Sequence, residues 1–361
     1  MPQKVNRPAL VVKIGSNVIA QPAGLLTTPL LTQLVQQMVN LRQAGYDVLL
    51  VSSGAVTAGR QQVTPTHKVD PVIQRQVLAA VGQTQLMQLY RRLLEEHGIT
   101  CAQILVTKED FRSRRHYLNV RNCLTGILQH QVFPIVNEND VVSVTELMFT
   151  DNDELAGLLA SMMDAQRLII LTNVDGIYDR PPREAGTKLI SKVKPQESLE
   201  AQITAEKSDF GRGGMRTKSR IAQKLADLGI GVHIANGRQE KVLEKIVADQ
   251  SVGTHFLPNR KVSTVKRWIG QAERAYQGSI HVNEGAYQAL TQHQQANSLL
   301  LVGVTSIEGD FSKGEVVQLK HQGEAFGLGK TYYGSDQAKT LIGQAGKKPI
   351  VHYDHLYLPG F

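Results

Sequence analysis

Up to about residue 236 the apolar positions alternate between two patterns. Short unbroken runs, "ALVVKI" (9–14), "DVLLVSSG" (47–54), "ITCAQILVT" (99–107), "FPIVNEND" (133–140), "RLIILTN" (167–173) and "GVHIAN" (231–236), have the length, β-branching and polar or glycine boundaries of buried strands. Between them lie longer stretches with apolar residues at helical spacing: "TPLLTQLVQQMVNLRQAG" (28–45), "IQRQVLAAVGQTQLMQLYRRLLEEHG" (73–98), "DELAGLLASMMDA" (153–165) and the helix that follows the glycine loop near residue 214. This alternation predicts an α/β fold, an open and mostly parallel sheet sandwiched by helices. In such sheets ligands bind at the carboxyl ends of the strands.

After about residue 275 helical periodicity fades. The chain becomes short β-like runs broken by glycine, "GSIHV", "SLLLVGVTSIEGDFSKGEVVQLK" and "GEAFGLGKTYYGS", which predict a small β-rich domain. Pro258 and the charged "NRKVSTVKRW" mark a connector. The expected division is a first domain over 1–255, a linker over 256–275 and a β-rich domain over 276–361.

Composition narrows this picture. The 361 residues are 42% hydrophobic, enough for a sizeable core, and carry a formal charge of +8. Residues from 275 onward hold six Lys and Arg against seven Asp and Glu, leaving 34 against 25 in the first 274. The positive charge thus belongs to the first segment, which favours a small anionic substrate over a basic nucleic-acid tail. Cys101 and Cys123 make neither a disulfide framework nor a metal cluster and read as packed thiols. The start of the chain lacks a signal-peptide core, and no apolar run approaches the roughly 18 residues that span a bilayer. A soluble cytoplasmic protein is expected.

Four clusters at predicted strand ends carry candidate chemistry. "VKIGSN" places Lys13 within an apolar strand, where a cation is costly unless an anion pairs with it; Gly15 then permits close backbone approach. "SSGAVTAG" (52–59) puts small residues at a strand-to-helix junction, with backbone N–H groups free for a ligand. "NENDVV" (137–142) and "TDNDELAG" (150–157) bring Asp140, Asp151 and Asp153 together with Asn137, Asn139 and Asn152. One of these aspartates suits a helix cap; the others suit an ammonium group, a lysine or magnesium. Finally, "FGRGGMRTK" (210–218) runs a cationic glycine loop into a helix. It is not a Walker loop, because Thr217 stands where that pattern requires glycine. Elsewhere "FRSRRHYLNVR" (111–121) reads as solvated charge, His233 as a packed histidine, and "VHYDHLY" as no metal site.

Taken in order, "VVKIGSN", "SSGAVTAG", "NENDVV", "DNDELAG", "LTNVDGIY" and "GRGGMRTK" resemble the amino acid kinase family, and within it the members that act on glutamate. The C-terminal segment resembles a PUA domain. The resemblance covers nearly the whole chain. It implies transfer of the γ-phosphoryl group of ATP to the side-chain carboxylate of L-glutamate, the first step towards proline. It further implies that Lys13 and Lys218 stabilise the transferring phosphoryl group and that Asp153 holds both lysines. Ser53, Asp140 and Asn152 would hold glutamate. Thr172, Asn173, Gly213, Gly214, Met215, Arg216, Thr217, Lys218 and Lys13 would line the nucleotide site, with Mg2+ bridging the phosphates and no dedicated protein metal site. Proline is the expected feedback inhibitor, and a homo-oligomer, dimer or tetramer, is expected.

The chain departs from the family pattern in places. Asn173 follows Thr172 where aspartate is common, Thr150 stands where glycine often precedes "DND", and Arg212 and Arg216 add charge to the loop. Alternative acceptors within the family are aspartate, N-acetylglutamate or a nucleoside monophosphate; the motif order and the appended domain favour glutamate. A PUA domain could instead indicate an RNA-binding protein. The net negative charge and absence of arginine beyond residue 275 argue against RNA.

Overall fold

The computed structural model describes residues 7–19, 27–63, 70–112, 114–142, 149, 151–180, 184, 186–195, 197, 199, 214–259, 269, 276, 278–291 and 297–358. They divide into two compact units, the first running to residue 260 (save 112–115) and the second starting at residue 261. Among the described residues, no helix is long and apolar enough to cross a membrane.

The first unit contains strands β1 (Ala9–Ile14), β2 (Asp47–Ser52), β3 (Cys101–Val106), β4 (Phe133–Glu138), β5 (Arg167–Thr172), β6 (Lys192–Val193), β7 (Gly231–Asn236) and β8 (Thr254–Phe256). Its helices are α1 (Ser16–Ile19), α2 (Thr28–Gln43), α3 (Ala55–Arg60), α4 (Pro71–Glu95), α5 (Glu109–Arg112), α6 (Arg114–Gln129), α7 (Asn152–Met162), α8 (Met215–Asp227) and α9 (Val242–Val247). One sheet runs in the order β3-β4-β2-β1-β5-β7-β8-β6. The strands from β3 to β7 in that order are parallel, as the alternation predicts. β8 turns back antiparallel to β7 and carries the two-residue β6 beside it.

From β1 the chain moves first to β2 and later, on the opposite side, to β5. That reversal makes the carboxyl ends of β1, β2 and β5 the switch point of the sheet. The register aligns them, with Ile14 opposite both Ser52 and Leu171. Backbone bonds continue the alignment one residue further, from Gly15 to Leu171 and from Ser53 to Ile14, each at 3.2 Å.

Period-two alternation along β1 sorts its side chains between the faces. Leu10, Val12 and Ile14 join the main apolar cluster with Leu34 and Met38 of α2, Leu86 and Tyr90 of α4, and Leu243 of α9. Val11 and Lys13 therefore face the other side, where α7 packs across β1, β2, β4 and β5 and α8 lies against α7 and β7. α4 begins where Asp70 accepts bonds from the N–H groups of Val72 and Ile73, with Pro71 in the first turn.

The second unit has a five-stranded sheet, β9 (Gly278–Val282), β10 (Val304–Gly309), β11 (Val316–His321), β12 (Glu324–Thr331) and β13 (Val351–Tyr357), in the order β10-β9-β11-β12-β13. Gln322 and Gly323, both at positive φ, form the two-residue turn between β11 and β12. This unit encloses its own core around Ile280, Val317, Leu319, Ile350 and Val351. Among its described residues are the helices Glu284–Thr291 and Ser335–Leu341, where the fading periodicity predicts none. Each is short, so only one or two turns of pattern are present to be read. The packed-thiol reading needs a second correction: Cys101 is half-buried but Cys123 is exposed on α6. Helical spacing places Cys123 beside the buried Leu124 rather than on the buried face itself.

Candidate active site

At the switch point Lys13 points from β1 towards α7, and its Nζ lies 2.6 Å from Asp153 Oδ1. Lys218, from the first turn of α8, places its Nζ 2.8 Å from Asp153 Oδ2. One carboxylate thus receives one lysine on each oxygen, and its side chain is wholly buried (0% exposed). Two features of the helices allow the meeting. Gly157 lies one turn beyond Asp153 on α7, and a Cβ there would stand 3.1 Å from Ile221 Cγ2, so glycine lets α8 approach closely. α8 in turn buries Lys218, Ser219, Ala222, Leu225 and Ala226, a stripe at helical spacing that directs Lys218 inward.

The electrostatics follow from this packing. Burial would raise the Asp153 carboxyl, but the charges of Lys13 and Lys218 outweigh it and hold the group well below the usual carboxylate range. Burial would lower Lys218, but Asp153 at ion-pair distance, assisted by Asp151, raises it above an ordinary lysine. Asp153 and Lys218 therefore stay charged across the neutral range. Asp151 is the helix cap: its Oδ1 accepts from the N–H groups of Asp153 and Glu154 at 2.9 and 3.1 Å. Burial, then the neighbouring Asp153 charge, push its carboxyl up to about 6.

Beside the ionic cluster lies a network of amides and hydroxyls. Asn152 Nδ2 donates to Ser52 O (2.9 Å), Ser53 Oγ (3.1 Å) and Asn137 Oδ1 (2.9 Å). Asn137 Nδ2 donates to Gln83 Oε1 at 3.0 Å, and Ser52 Oγ lies 2.9 Å from the buried Tyr90 hydroxyl. Gly54, at φ +101°, makes the left-handed turn between β2 and α3 that a side chain would strain. Gly59 and Gly82 then seat α3 backbone to backbone on α4; a Cβ at Gly82 would lie 1.8 Å from Ala55 O.

The structure brings together Lys13, Asp153 and Lys218 in one cluster and Ser53 with Asn152 in the adjoining network. Asp140 sits just past β4, held by Arg75 of α4 through Nε (3.1 Å) and Nη2 (2.5 Å). Thr172 ends β5 and is buried; its Oγ1 lies 3.3 Å from Asn173 Oδ1, and Asn173 itself is exposed. Gly214 caps α8, followed by Met215, Arg216 and Thr217 in the first turn, with Arg216 exposed. Gly213, like Arg212 and Thr150, lies outside the described residues. Sequence reasoning missed Arg75, Gln83 and Tyr90. A signal was available for Gln83 and Tyr90, polar side chains that share a helical face of α4 with the buried Ala79, Leu86 and Leu94.

Two cations converging on a buried anion at a sheet's switch point are suited to charge spread over phosphoryl oxygens. Comparison with known proteins agrees with that chemistry. Residues 8–236 match the amino acid kinase family, and residues 278–353 match the PUA domain. A glutamate 5-kinase of Bacteroides thetaiotaomicron is 48% identical over 97% of this chain and 98% of its own. A glutamate 5-kinase of Chlorobaculum tepidum is 46% identical over 97% of each chain. Among solved structures, carbamate kinase from Giardia lamblia bound to AMP-PNP aligns with a TM-score of 0.53 at 18% identity, over 70% of this chain and 99% of its own. That likeness speaks for the fold alone. With a family match over most of the first unit and relatives alike from end to end, this chain belongs to the amino acid kinase family.

Proposed function

We propose that the protein transfers the γ-phosphoryl group of ATP to the side-chain carboxylate of L-glutamate, forming γ-glutamyl phosphate on the way to proline. The observation that carries this reading is the Lys13–Asp153–Lys218 cluster. Glutamate's carboxylate is already an ionised nucleophile at neutral pH, so the reaction needs no general base. It needs two anions brought together and the charge of the transferring group neutralised. Lys13 and Lys218 supply that neutralisation, and Asp153 fixes their spacing before either substrate arrives. Ser53, Asn152 and Asp140 hold glutamate. Thr172, Asn173 and the start of α8 from Gly214 to Lys218 line the nucleotide, with the helix N-terminus and its N–H groups directed at phosphate.

Magnesium fits as a partner of the nucleotide. Asp153 has both oxygens on lysines, while Asp151 keeps Oδ2 buried without a hydrogen bond to a described residue. That oxygen suits the hydration shell of an ion otherwise held by phosphates and water, and such an ion would neutralise β- and γ-phosphate charge. The same reading makes proline a feedback inhibitor at or beside the glutamate site, the protein a homo-oligomer, and the cytoplasm its location. A coupled ADP-release assay tests the assignment. We expect release to depend on glutamate and to fall when proline is added. Strong turnover of N-acetylglutamate or aspartate without glutamate turnover would move the protein to another acceptor.

A further inference from the structure

The face of α4 towards the sheet edge makes three polar contacts in succession. Tyr90 meets Ser52, Gln83 meets Asn137, and Arg75, nearest the helix start, meets Asp140. The third contact differs in kind from the other two. It joins full charges: both Arg75 bonds end on a single oxygen, Asp140 Oδ1, and Glu138 Oε2 stands 3.8 Å from Nη2. A guanidinium has five N–H donors in a planar fork, and Arg75 makes no hydrogen bond through Nη1 to a described residue. Its side chain is 27% exposed while that of Asp140 is 9% exposed, so the cation still has an open side. Gln76 Nε2 donates to Val141 O at 2.7 Å, pinning the turn that carries Asp140 to the same helix.

We infer that Arg75 and Asp140 together read the α-amino-acid end of the substrate, Arg75 taking the α-carboxylate while Asp140 takes the α-ammonium. The inference deepens the glutamate reading and rests on it. A free amino acid presents opposite charges on one carbon. Asp140 alone would attract the ammonium and repel the carboxylate beside it. An adjacent guanidinium reverses that repulsion and offers a carboxylate a planar, two-pronged partner. The guanidinium also offsets the charge of Asp140 and, from further off, of the buried Glu138, which limits the cost of holding both carboxylates away from water.

The connectivity sets the direction of the substrate. Asn137, three residues before Asp140, is bonded to Asn152, which neighbours Asp153 in sequence. The side-chain carboxylate therefore points to the lysines, and the α-carbon to Arg75. A pair that demands both charges also rejects acceptors lacking one of them, an N-acylated amino acid included.

Two truncated ligands separate this role from mere support of Asp140. Both keep the acceptor carboxylate: 4-aminobutyrate lacks the α-carboxylate, and glutarate lacks the ammonium. Each is measured as a competitor of glutamate-dependent ADP release by the full-length protein, driven to molar concentration where needed. We expect Arg75→Gln to raise the KM for glutamate on the order of 100-fold and to leave the inhibition constant of 4-aminobutyrate nearly unchanged. Arg75→Lys should recover part of the loss, because it keeps the charge but not the fork. Asp140→Asn should weaken glutamate and 4-aminobutyrate together and spare glutarate. Equal weakening of glutamate and 4-aminobutyrate by Arg75→Gln would reduce Arg75 to a prop for Asp140, and no change in either would remove it altogether. Wild-type turnover is the control: its absence fails the assigned reaction and this inference with it, whereas normal turnover with the wrong pattern fails Arg75 alone.

Discussion

In the first unit Lys13, Asp153 and Lys218 bury three charges around one contact, with side chains 6%, 0% and 11% exposed. Among the described residues of the second unit the acids that pair with bases stand in solvent: Glu284, Glu308, Asp354 and Asp310 are 58–94% exposed. Exposed pairs of that kind contribute little to stability, typically under about 1 kcal/mol. A buried cluster is different, because losing one partner strands the others away from water at a cost of about 3–5 kcal/mol. The contrast shows where charge serves a task other than solubility. The second unit is held by its apolar core, and its ionic contacts are incidental to that core. The first unit sustains an arrangement that apolar packing alone would not select.

Breaking the buried cluster should have the largest effect. Asp153→Asn leaves Lys13 and Lys218 side by side without their anion, so each loses its fixed position and Lys218 loses its raised affinity for a proton. We expect kcat to fall by at least about 1,000-fold, with the melting temperature lowered as well. Lys218→Ala should act more narrowly, lowering kcat greatly while the KM for glutamate stays near wild type, since the partner of this lysine forms mostly in the transition state. A wild-type kcat in that variant would remove Lys218 from the mechanism.

The next effect tests whether the amide network depends on backbone contact. Gly82→Ala would place a Cβ 1.8 Å from Ala55 O and 2.3 Å from Gly59 N, so α3 must move away from α4. Overpacking of this kind costs about 1–3 kcal/mol or more. Because α3 follows directly on Ser53 and Gly54, the KM for glutamate should rise with the loss of stability. An unchanged KM would show that Ser53 is positioned by β2 and Asn152 alone. The opposite experiment belongs to the second unit. Leu319 is wholly buried there, and Leu319→Ala should cost about 2–5 kcal/mol. It should lower the unfolding transition of that unit and leave kcat/KM for glutamate where it was.

How far the sequence reveals these differences depends on how local each cause is. β1, β2, β5 and β7 announce themselves because strands buried on both faces read as unbroken apolar runs. Lys13 is conspicuous for the same reason, as a cation inside such a run. Asp153 and Lys218 become conspicuous only once Lys13 demands an anion and the resemblance supplies the pairing. β6 and β8, two and three residues long, carry too little pattern to be found. The antiparallel return of β8 also has no local signal, since it depends on which edge of the sheet is free. Arg75 is the instructive miss. Its partner lies 65 residues away, and on α4 it looks like any other surface arginine. Only the packing of α4 along the ends of β2 and β4 gives it a role.

The smallest expected effect again divides the units, this time by their histidines. In the first unit His233 of β7 stacks on His255 of β8 at 3.8 Å between ring centroids. Burial, with the neighbouring His255 next, pushes His233 down to about 2; burial, with Arg167 next, pushes the half-buried His255 down to about 4. In the second unit His281, His321 and His352 instead meet exposed carboxylates. A base whose folded pKa is depressed stabilises the fold above its unfolded pKa, near 6.5, and loses that contribution as pH falls towards the folded value. The unfolded chain binds protons in this window and the folded edge does not, so acid favours unfolding. At pH 5 the loss for His233 amounts to about 2 kcal/mol relative to neutral pH, and for the more exposed His255 it is smaller. Denaturant titrations at pH 7 and pH 5 should therefore show the first unit losing more stability than the second. His233→Phe, which keeps a ring for the stack and removes the proton site, should shrink that difference; an undiminished acid loss in the variant would place its origin elsewhere in the unit.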